Sequence, residues 1–284
     1  MNRGFLIYNR EDYCKNNWFA QSFISNAPLY NMNIELLLTD EITIGIKENK
    51  LFVNRGEKEL EVPDFVINRS RESIIGSHFE LMGCKVFNSS YVTEICNNKA
   101  KTHQIVNSKG INSVKTLLCN RRYFSVNNIN LNFPIILKSL GGHGGNGVYK
   151  INNSDELNKQ ISALNNDGFV LQEMCSNPGI DIRVFVIGKE IVAAVKRYSS
   201  KSFKANFSLG GESEAYSLNP NELCIVKKII NLFNFDFAGI DFILDKNGDF
   251  LFNEIEDVVG CRTLYKNYNI DVVKKYLEHI KNQL

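Results

Sequence analysis

The feature that most constrains the fold is the dipeptide Asn247-Gly248, which stands between two apolar, phenylalanine-rich segments. Asn-Gly in this setting is the strongest short-range signal for a β-hairpin, and it is typical of a type I′ turn. Counting outward from a turn centred there places Asp241 directly opposite Glu254. Glu256 follows two residues later on the same face, because side chains alternate along a strand. The hairpin therefore predicts three carboxylates on one face.

The opposite face of this hairpin is predicted to be largely apolar. The same count pairs Leu244 with Leu251, Phe242 with Asn253, and Ile240 with Ile255. Like charges opposite each other destabilise a sheet, so the acids need a counter-charge. Oxygen ligands suit Mg²⁺ or Mn²⁺ rather than zinc. A solvated acidic edge is the alternative. The pairing depends on the turn, since a three-residue loop would move Asp241 to the face away from Glu254.

A glycine-rich segment joins two other strand-like segments. Its glycines include Gly142, Gly144, Gly145 and Gly147. The spacing matches G-x-G-x-x-G, but a dinucleotide-binding loop must lead from a strand into a helix, and here a strand-like segment follows. Backbone N–H groups of such a hairpin tip can close over phosphate oxygens, and Lys138 on the entering segment can add a positive charge. An ordinary mobile loop is the alternative.

Charge and cysteine content limit the class of partner. Lys and Arg number 33 and Asp and Glu 31, a net charge of +2. That balance excludes a dedicated nucleic-acid binder or a polybasic membrane anchor. No apolar segment is long enough to span a bilayer, and the start of the chain lacks a secretory core segment. The seven cysteines contain no Cys-x-x-Cys spacing. We therefore expect a cytoplasmic protein without membrane or nucleic-acid partners.

A chain of 284 residues has room for about two domains. Strands alternate with helices near the N-terminus, which predicts a small parallel α/β unit. The predicted strands there are 4–8, 34–38, 64–68 and 85–87. A hairpin excursion over 42–61 has turn candidates at Lys50 and at 54–56. One helical stretch is predicted over 91–107, with a second short piece near 113–120.

Several phrases, taken in order, resemble those of the ATP-grasp superfamily and its RimK-like carboxylate–amine ligases. They include Phe87-Asn88-Ser89-Ser90, Ile136-Leu137-Lys138, Leu171-Gln172-Glu173, Asp181-Ile182-Arg183, Ala238-Gly239-Ile240-Asp241 and Asn253-Glu254-Ile255-Glu256. The likeness covers about residues 66–280. It implies an α/β ATP-grasp fold with an N-terminal pre-ATP-grasp domain, 1–90, and an ATP-grasp domain, 91–284. The latter would divide into a central lobe, 91–172, and a metal-binding lobe, 173–284.

The resemblance also implies roles for single residues. Lys99 and Lys138 would reach the phosphates of ATP beneath the glycine-rich loop. Glu173, Met174 and Cys175 would read adenine, and Asp181 would bind ribose hydroxyls. Asp241, Glu254 and Glu256 would hold Mg²⁺ or Mn²⁺, and Arg183, Lys204, Asn206 and Arg262 would lie around the γ-phosphate and the acyl group.

Two positions depart from the family pattern. Glu256 stands where the family usually has Asn, and Leu209 stands where an Arg often precedes Gly-Gly. Arg262 is a candidate replacement for that arginine. The resemblance implies that a carboxylate of an amino acid, peptide or protein tail is activated as an acyl phosphate. An amine then displaces phosphate, so that ADP and phosphate are the products. Related ligases are often homo-oligomers.

Two other functions stay open at this point. A non-catalytic ATP-binding module would explain the altered Glu256 and Leu209. A nicotinamide-dependent dehydrogenase rests only on the G-x-G-x-x-G string. The cluster Arg69-Ser70-Arg71 either forms surface salt bridges or binds a carboxylate or phosphate. Among the histidines, His143 is the one placed to act, because it lies in the glycine-rich loop.

Overall fold

A computed structural model describes residues 1–207 and 210–284. The N-terminal segment forms a parallel sheet of order β2-β1-β6-β7. Its elements are β1 (Asn2–Tyr8), α1 (Arg10–Asn26), β2 (Met32–Leu38), β3 (Ile42–Lys47), β4 (Lys50–Arg55), β5 (Lys58–Glu59), β6 (Phe65–Asn68), α2 (Ser73–Leu81) and β7 (Lys85–Phe87), with a 3₁₀ turn at Ala27–Tyr30. The predicted parallel unit is confirmed, because buried apolar strands alternate with helices that cover them.

The excursion between β2 and β6 is a three-stranded antiparallel sheet of β3, β4 and β5. Its first turn lies at Glu48 and Asn49, whose φ angles are +51° and +63°. Two successive positive φ values are what a tight hairpin turn requires, and Asn tolerates them. The prediction of a turn at Lys50 was wrong, since Lys50 opens β4 and faces Lys47.

The middle of the chain forms an antiparallel sheet of order β10-β9-β11-β8. Its elements are α3 (Ser90–Cys96), α4 (Lys99–Asn107), β8 (Thr116–Asn120), β9 (Ile135–Ser139), β10 (Val148–Ile151), α5 (Ser154–Ser162) and β11 (Gly168–Glu173), with a 3₁₀ turn at Val126–Asn128. The helix predicted over 91–107 is two helices, because Asn98 takes an extended conformation and caps α4 with its side chain. The piece near 113–120 is a strand, which pairs with β11.

The C-terminal segment forms a five-stranded antiparallel sheet of order β14-β13-β12-β15-β16. Its elements are β12 (Ile180–Ile187), β13 (Glu190–Tyr198), β14 (Glu212–Tyr216), α6 (Pro220–Leu232), β15 (Phe237–Leu244), β16 (Phe250–Glu256), α7 (Arg262–Asn267) and α8 (Val272–Gln283). Asn219 and Glu222 form a capping box at the start of α6, and the side chain of Asp271 caps α8.

Packing holds the C-terminal sheet between two layers and so positions its polar edge. One face shares a core with the N-terminal sheet, α1 and α8, through residues such as Phe23, Phe65, Phe185 and Tyr276. The other face packs on α3, α4 and α6. Burying each large aromatic side chain contributes about 1.5–3 kcal/mol, so these layers hold the strands in place. Within the described ranges, no helix has both the length and the apolar character needed to cross a bilayer.

Candidate active site

The turn between β15 and β16 differs from the predicted type I′ turn. The Asp245 N–H donates to the Asp249 carbonyl at 3.0 Å, so the loop contains three residues. Gly248 takes a positive φ angle of +87°, whereas the φ angle of Asn247 is not positive. This is the three-residue arrangement in which a type I turn is followed by a left-handed glycine. The loop shifts the adjacent pairs by one residue. Leu244 faces Phe250 and Phe242 faces Phe252, so the predicted pairs Leu244–Leu251 and Phe242–Asn253 were wrong.

A β-bulge cancels this shift before the acidic residues are reached. The register changes between Asp241 and Phe242, and Asn253 is the extra residue on the partner strand. Beyond the bulge, Asp241 faces Glu254 and Ile240 faces Ile255, as predicted. A bulge inserts one residue into one strand and so moves every later side chain to the other face. The two deviations compensate, and the three acids lie on one face.

The three acids form a compact cluster. One carboxylate oxygen each from Asp241, Glu254 and Glu256 lies within 4.8 Å of the others. Asp241 is completely buried, and the two glutamates are partly exposed. Oxygen-only donors at this spacing fit a hard divalent cation such as Mg²⁺. The donor set therefore suits the metal that the sequence predicts.

Two arginines neutralise the buried part of this cluster. The Nε of Arg183 donates to Asp241 Oδ1 at 2.7 Å, and its Nη2 donates to Asp241 Oδ2 at 2.6 Å. The same Nη2 lies 2.8 Å from Glu256 Oε1. Arg197 donates to both oxygens of Asp181, at 2.6 and 2.8 Å, and to Asp241 at 2.8 Å. All four partners of these two-point pairs are buried. Such pairs are stable only when geometry and hydrogen bonding are complete, as they are here.

The charges of these groups follow from their surroundings. Burial raises the pKa of Asp241, but Arg183 and Arg197 outweigh burial and bring the pKa to about 2. The pKa of Asp181 is raised, because burial outweighs the attraction of Arg197. The pKa of Glu254 is lowered, since Lys99 and other cations outweigh its burial. Asp241 and Glu254 are therefore anionic at neutral pH without a metal.

Two lysines from the middle of the chain lie beside the same cluster. Lys138, on β9, donates to Asn253 Oδ1 at 2.7 Å. Lys99, the first residue of α4, lies 3.3 Å from Glu254 Oε2 and donates to the Gly142 carbonyl. Burial, with the nearby Lys99, lowers the pKa of the Lys138 ammonium to about 8. These contacts place both predicted phosphate-binding lysines beside the acids.

The glycine-rich loop connects β9 to β10, strand to strand. Gly144, Gly145 and Gly147 all take positive φ angles, of +61°, +86° and +70°. Ordinary L-residues rarely adopt this conformation, so the path of the loop depends on glycine. The Lys204 ammonium donates to the Gly145 carbonyl at 2.8 Å and holds the loop over the site. The strand-to-strand connection excludes the dinucleotide fingerprint on which the dehydrogenase alternative rested.

Two cavities meet at the acidic cluster. The first cavity is lined by ten of the predicted residues: Lys138, Gly142, Gly145, Glu173, Met174, Cys175, Asp181, Lys204, Asn206 and Glu254. The second cavity is lined by Gly144, Arg183, Asn206, Glu256 and Arg262, together with His143 and residues from α1 and the 69–71 segment. Asp241 is the buried member of the cluster and lines neither cavity, and Leu209 lies outside the described residues.

Sequence reasoning missed Arg197 and Asn253. Arg197 joins the predicted ribose ligand Asp181 to the predicted metal ligand Asp241. The two-residue turn Gly188-Lys189 indicates the β12–β13 hairpin, but an undisturbed count from it pairs Asp181 with Lys196. A bulge between Phe185 and Val186 moves Arg197 into that position.

Residues 96–280 match the RimK-like ATP-grasp domain, which is more than half of the chain. The chain belongs to the RimK-like ATP-grasp family. This ATP-grasp ligase is 26% identical to the alpha-aminoadipate–LysW ligase LysX of Sulfurisphaera tokodaii, over 84% of this chain and 90% of LysX. It is 29% identical to a probable alpha-L-glutamate ligase of Legionella pneumophila, strain Corby, over 81% of this chain and 80% of that protein.

A solved structure shows the same fold. The ATP-grasp ligase PsnB, complexed with a phosphomimetic variant of its minimal precursor, Mg and ADP, aligns with a TM-score of 0.69 at 16% identity. The alignment covers 99% of this chain and 98% of that one. The α/β ATP-grasp fold is therefore confirmed, and ATP-dependent carboxylate–amine ligation is the activity of the RimK-like family to which the chain belongs.

Proposed function

We propose that this protein uses ATP to phosphorylate a substrate carboxylate, and that an amine then displaces phosphate from the acyl phosphate. An amide bond forms, and ADP and phosphate are released. The observation that supports this most is the position of the two lysines beside the acidic cluster: Lys99 contacts Glu254, and Lys138 donates to Asn253, the residue next to Glu254. Phosphoryl transfer depends chiefly on positioning and charge neutralisation, which these groups provide.

The first cavity is lined by groups whose chemistry suits a nucleotide. Glu173 ends β11, and Met174 and Cys175 follow it along the cavity wall, where backbone groups can read adenine. Asp181, held by Arg197, has lone pairs left for ribose hydroxyls. Lys99, Lys138 and the N–H groups of the glycine-rich loop would hold the phosphates. The cavity therefore offers each part of ATP a group of suitable chemistry.

Asp241, Glu254 and Glu256 would hold Mg²⁺, or Mn²⁺ in its place. Bound there, the cation neutralises charge on phosphate oxygens and orients them. Glu256 supplies a carboxylate where the family usually has an amide. Its Oε1 forms an ion pair with Nη2 of Arg183 at 2.8 Å. The extra charge of Glu256 is thereby balanced within the protein. The departure from the family pattern is compatible with metal binding.

Phosphoryl transfer would take place where the two cavities meet. Arg183 lines the second cavity and can neutralise a carboxylate that approaches the γ-phosphate. Asn206 lines both cavities and can hydrogen-bond to the reacting group. The glycine-rich loop, held by Lys204, excludes water that would hydrolyse the acyl phosphate. The second cavity would hold the carboxylate substrate and its amine partner.

The names of the relatives suggest the class of substrate. One relative is an alpha-aminoadipate–LysW ligase and another a probable alpha-L-glutamate ligase. We propose that this protein likewise joins an amino acid to a carboxylate, on an amino acid, a peptide or a protein tail. Candidate pairs for assay are therefore amino acids combined with short peptides.

A product analysis tests the reaction class. The purified protein is incubated with ATP, Mg²⁺ and pairs of carboxylates and amines, and nucleotide products are separated by chromatography. ADP and phosphate, formed only when both substrates are present, would support the proposal. AMP and pyrophosphate would contradict the acyl-phosphate route. Tight ATP binding without turnover on the whole panel would instead favour a non-catalytic module.

A further inference from the structure

The second cavity has a volume of about 630 Å³ and lies between the N-terminal and C-terminal sheets. Residues from α1, the segment 69–71, the glycine-rich loop and the loop after β16 line it. This volume lies within the range of about 300–1,000 Å³ that is usual for sites that bind whole small molecules. The cavity is therefore larger than a single carboxylate group requires. Groups of the cavity remote from the acids therefore have room to contact the rest of a substrate.

Arg69 is the least expected group in this cavity. Its side chain is buried, with 6% of the residue exposed, and packs against the rings of Tyr8 and Phe19 at 5.7 and 5.0 Å. Nη2 donates to the Val259 carbonyl at 3.0 Å, and Nε has no hydrogen-bond partner. No Asp or Glu in the described part of the chain forms an ion pair with it. The surface salt bridge considered for this arginine is wrong, whereas Arg71 does pair with Asp12.

Most other cationic side chains that line the cavity do pair with a carboxylate, in contrast to Arg69. Lys15 pairs with Glu11, Arg71 with Asp12, Arg183 with Asp241 and Glu256, and Arg197 with Asp181 and Asp241. Within residues 1–207 and 210–284, Arg69 and Arg262 are the two cationic residues lining the cavity that have no carboxylate partner. Arg69 also holds the carbonyl of Val259, three residues before Arg262. Two guanidinium groups without a carboxylate partner among the described residues, the buried Arg69 and the exposed Arg262, thus line the same cavity.

A buried guanidinium without a carboxylate is costly, since its charge has left water without a full counter-charge. The faces of Tyr8 and Phe19 offset part of that cost by cation–π attraction. Contact with rings leaves the N–H donors of a guanidinium available, and the Nε of Arg69, which has no partner among the described residues, can donate to a carboxylate. A bound anion would supply the counter-charge that no Asp or Glu among the described residues provides to Arg69.

We propose that Arg69, with Arg262, forms a subsite for a carboxylate of the substrate other than the one that is phosphorylated. The inference rests on the proposed function, because it takes the second cavity as the substrate cavity. The phosphates of the nucleotide are served by Lys99 and Lys138 elsewhere, so a carboxylate is the anion that remains to be bound. The subsite selects a substrate with two carboxylates, such as a small dicarboxylic acid.

Intrinsic fluorescence can report binding in the intact protein. Trp18 is the only tryptophan of the chain and lines the second cavity. Its emission is followed while glutarate, or valerate of equal chain length, is titrated with Mg²⁺ and a non-hydrolysable ATP analogue. We expect glutarate to bind at least about ten-fold more tightly than valerate, because a charge-assisted hydrogen bond is gained. In Arg69→Gln we expect the preference for glutarate over valerate to be lost.

Controls separate a binding role from a structural one. The exposed Arg55→Gln retains the preference for glutarate. Loss of the Val259 contact alone would weaken both acids equally, so the ratio of affinities is the decisive quantity. Where Arg69→Gln melts below the assay temperature, Arg69→Lys replaces it, and a reduced ratio is still expected because the planar fork is gone.

Three outcomes overturn the inference: no preference for glutarate in the natural protein, a preference that survives in Arg69→Gln, or no binding of either acid. The ligase proposal is judged separately by ADP release. ADP formed equally well with monocarboxylates would overturn the subsite and leave the ligase standing. Selective glutarate binding without ADP release from any substrate pair would support the subsite and contradict the ligase proposal.

Discussion

Arg183 and Asp241 face each other across β12 and β15 and form a buried two-point ion pair, with N–O distances of 2.7 and 2.6 Å. The pair keeps the carboxylate ionised and fixes its orientation before any ligand binds. Arg183 also reaches Glu256, at 2.8 Å, so one guanidinium orders two members of the acidic cluster. The cluster is therefore a preorganised feature of the fold.

Removing this guanidinium should destabilise the protein strongly. Arg183→Gln removes the two-point partner of the buried Asp241 and leaves it the single contact from Arg197, so we expect a loss of up to about 3–5 kcal/mol in the free energy of unfolding. Urea unfolding followed by circular dichroism measures the change. Arg55→Gln is the matched control, because Arg55 forms surface pairs with Glu35 and Glu41 that are worth under about 1 kcal/mol. Equal stability losses in the two variants would contradict the assigned role of Arg183.

Nucleotide affinity should fall as the solution becomes alkaline. Burial lowers the pKa of Lys138 to about 8, so the unliganded ammonium loses its proton as pH rises through that value. Only the protonated form attracts phosphate oxygens, and affinity for an ATP analogue should drop by about five- to ten-fold between pH 7.5 and 9. Calorimetric titration at both pH values measures this drop. Lys138→Met should bind the ATP analogue weakly, with an affinity that hardly changes with pH. An affinity of the natural protein that does not change with pH would argue against contact between Lys138 and the phosphates.

The glycine-rich loop offers a matched pair of substitutions. Gly144 and Gly147 both have positive φ angles, but a Cβ at Gly144 meets open space, whereas one at Gly147 lies 2.0 Å from Ser139 Oγ. Gly144→Ala carries a backbone cost of about 1 kcal/mol, and Gly147→Ala must also displace either the Ser139 hydroxyl or the loop. We expect a much larger loss of nucleotide affinity for Gly147→Ala.

A rescue variant checks the steric explanation of that loss. Adding Ser139→Ala to Gly147→Ala removes the hydroxyl oxygen that the new Cβ would meet. Nucleotide affinity should recover in part, because the positive φ remains. Equal losses in Gly144→Ala and Gly147→Ala, or no recovery in the double variant, would show that the collision does not set the loop position.

Much of the fold could be predicted from local patterns. Apolar strand-like segments separated by helical stretches identified the parallel sheet of β1, β2, β6 and β7. The strand β14 and the short helix α7 were missed. The division into 1–90, 91–172 and 173–284 remains a prediction.

The fine register of the site could not be read from the sequence. The three-residue loop at 246–248 and the bulge at Asn253 each shift the pairing by one residue, and the correct facing of Asp241 and Glu254 survives because the shifts cancel. A second bulge, between Phe185 and Val186, brings Arg197 opposite Asp181. Bulges arise from packing across the sheet rather than from a local residue pattern, so no short motif reports them.

The central claim is that Asp241, Glu254 and Glu256 hold a divalent cation against the bound nucleotide. The most direct test is calorimetric binding of a non-hydrolysable ATP analogue with and without Mg²⁺, in the natural protein, Glu254→Gln and the exposed control Glu57→Gln. We predict that Mg²⁺ tightens binding at least about ten-fold in the natural protein and the control, and hardly at all in Glu254→Gln. Binding that ignores Mg²⁺ in the natural protein, or a full Mg²⁺ effect in Glu254→Gln, would contradict the account.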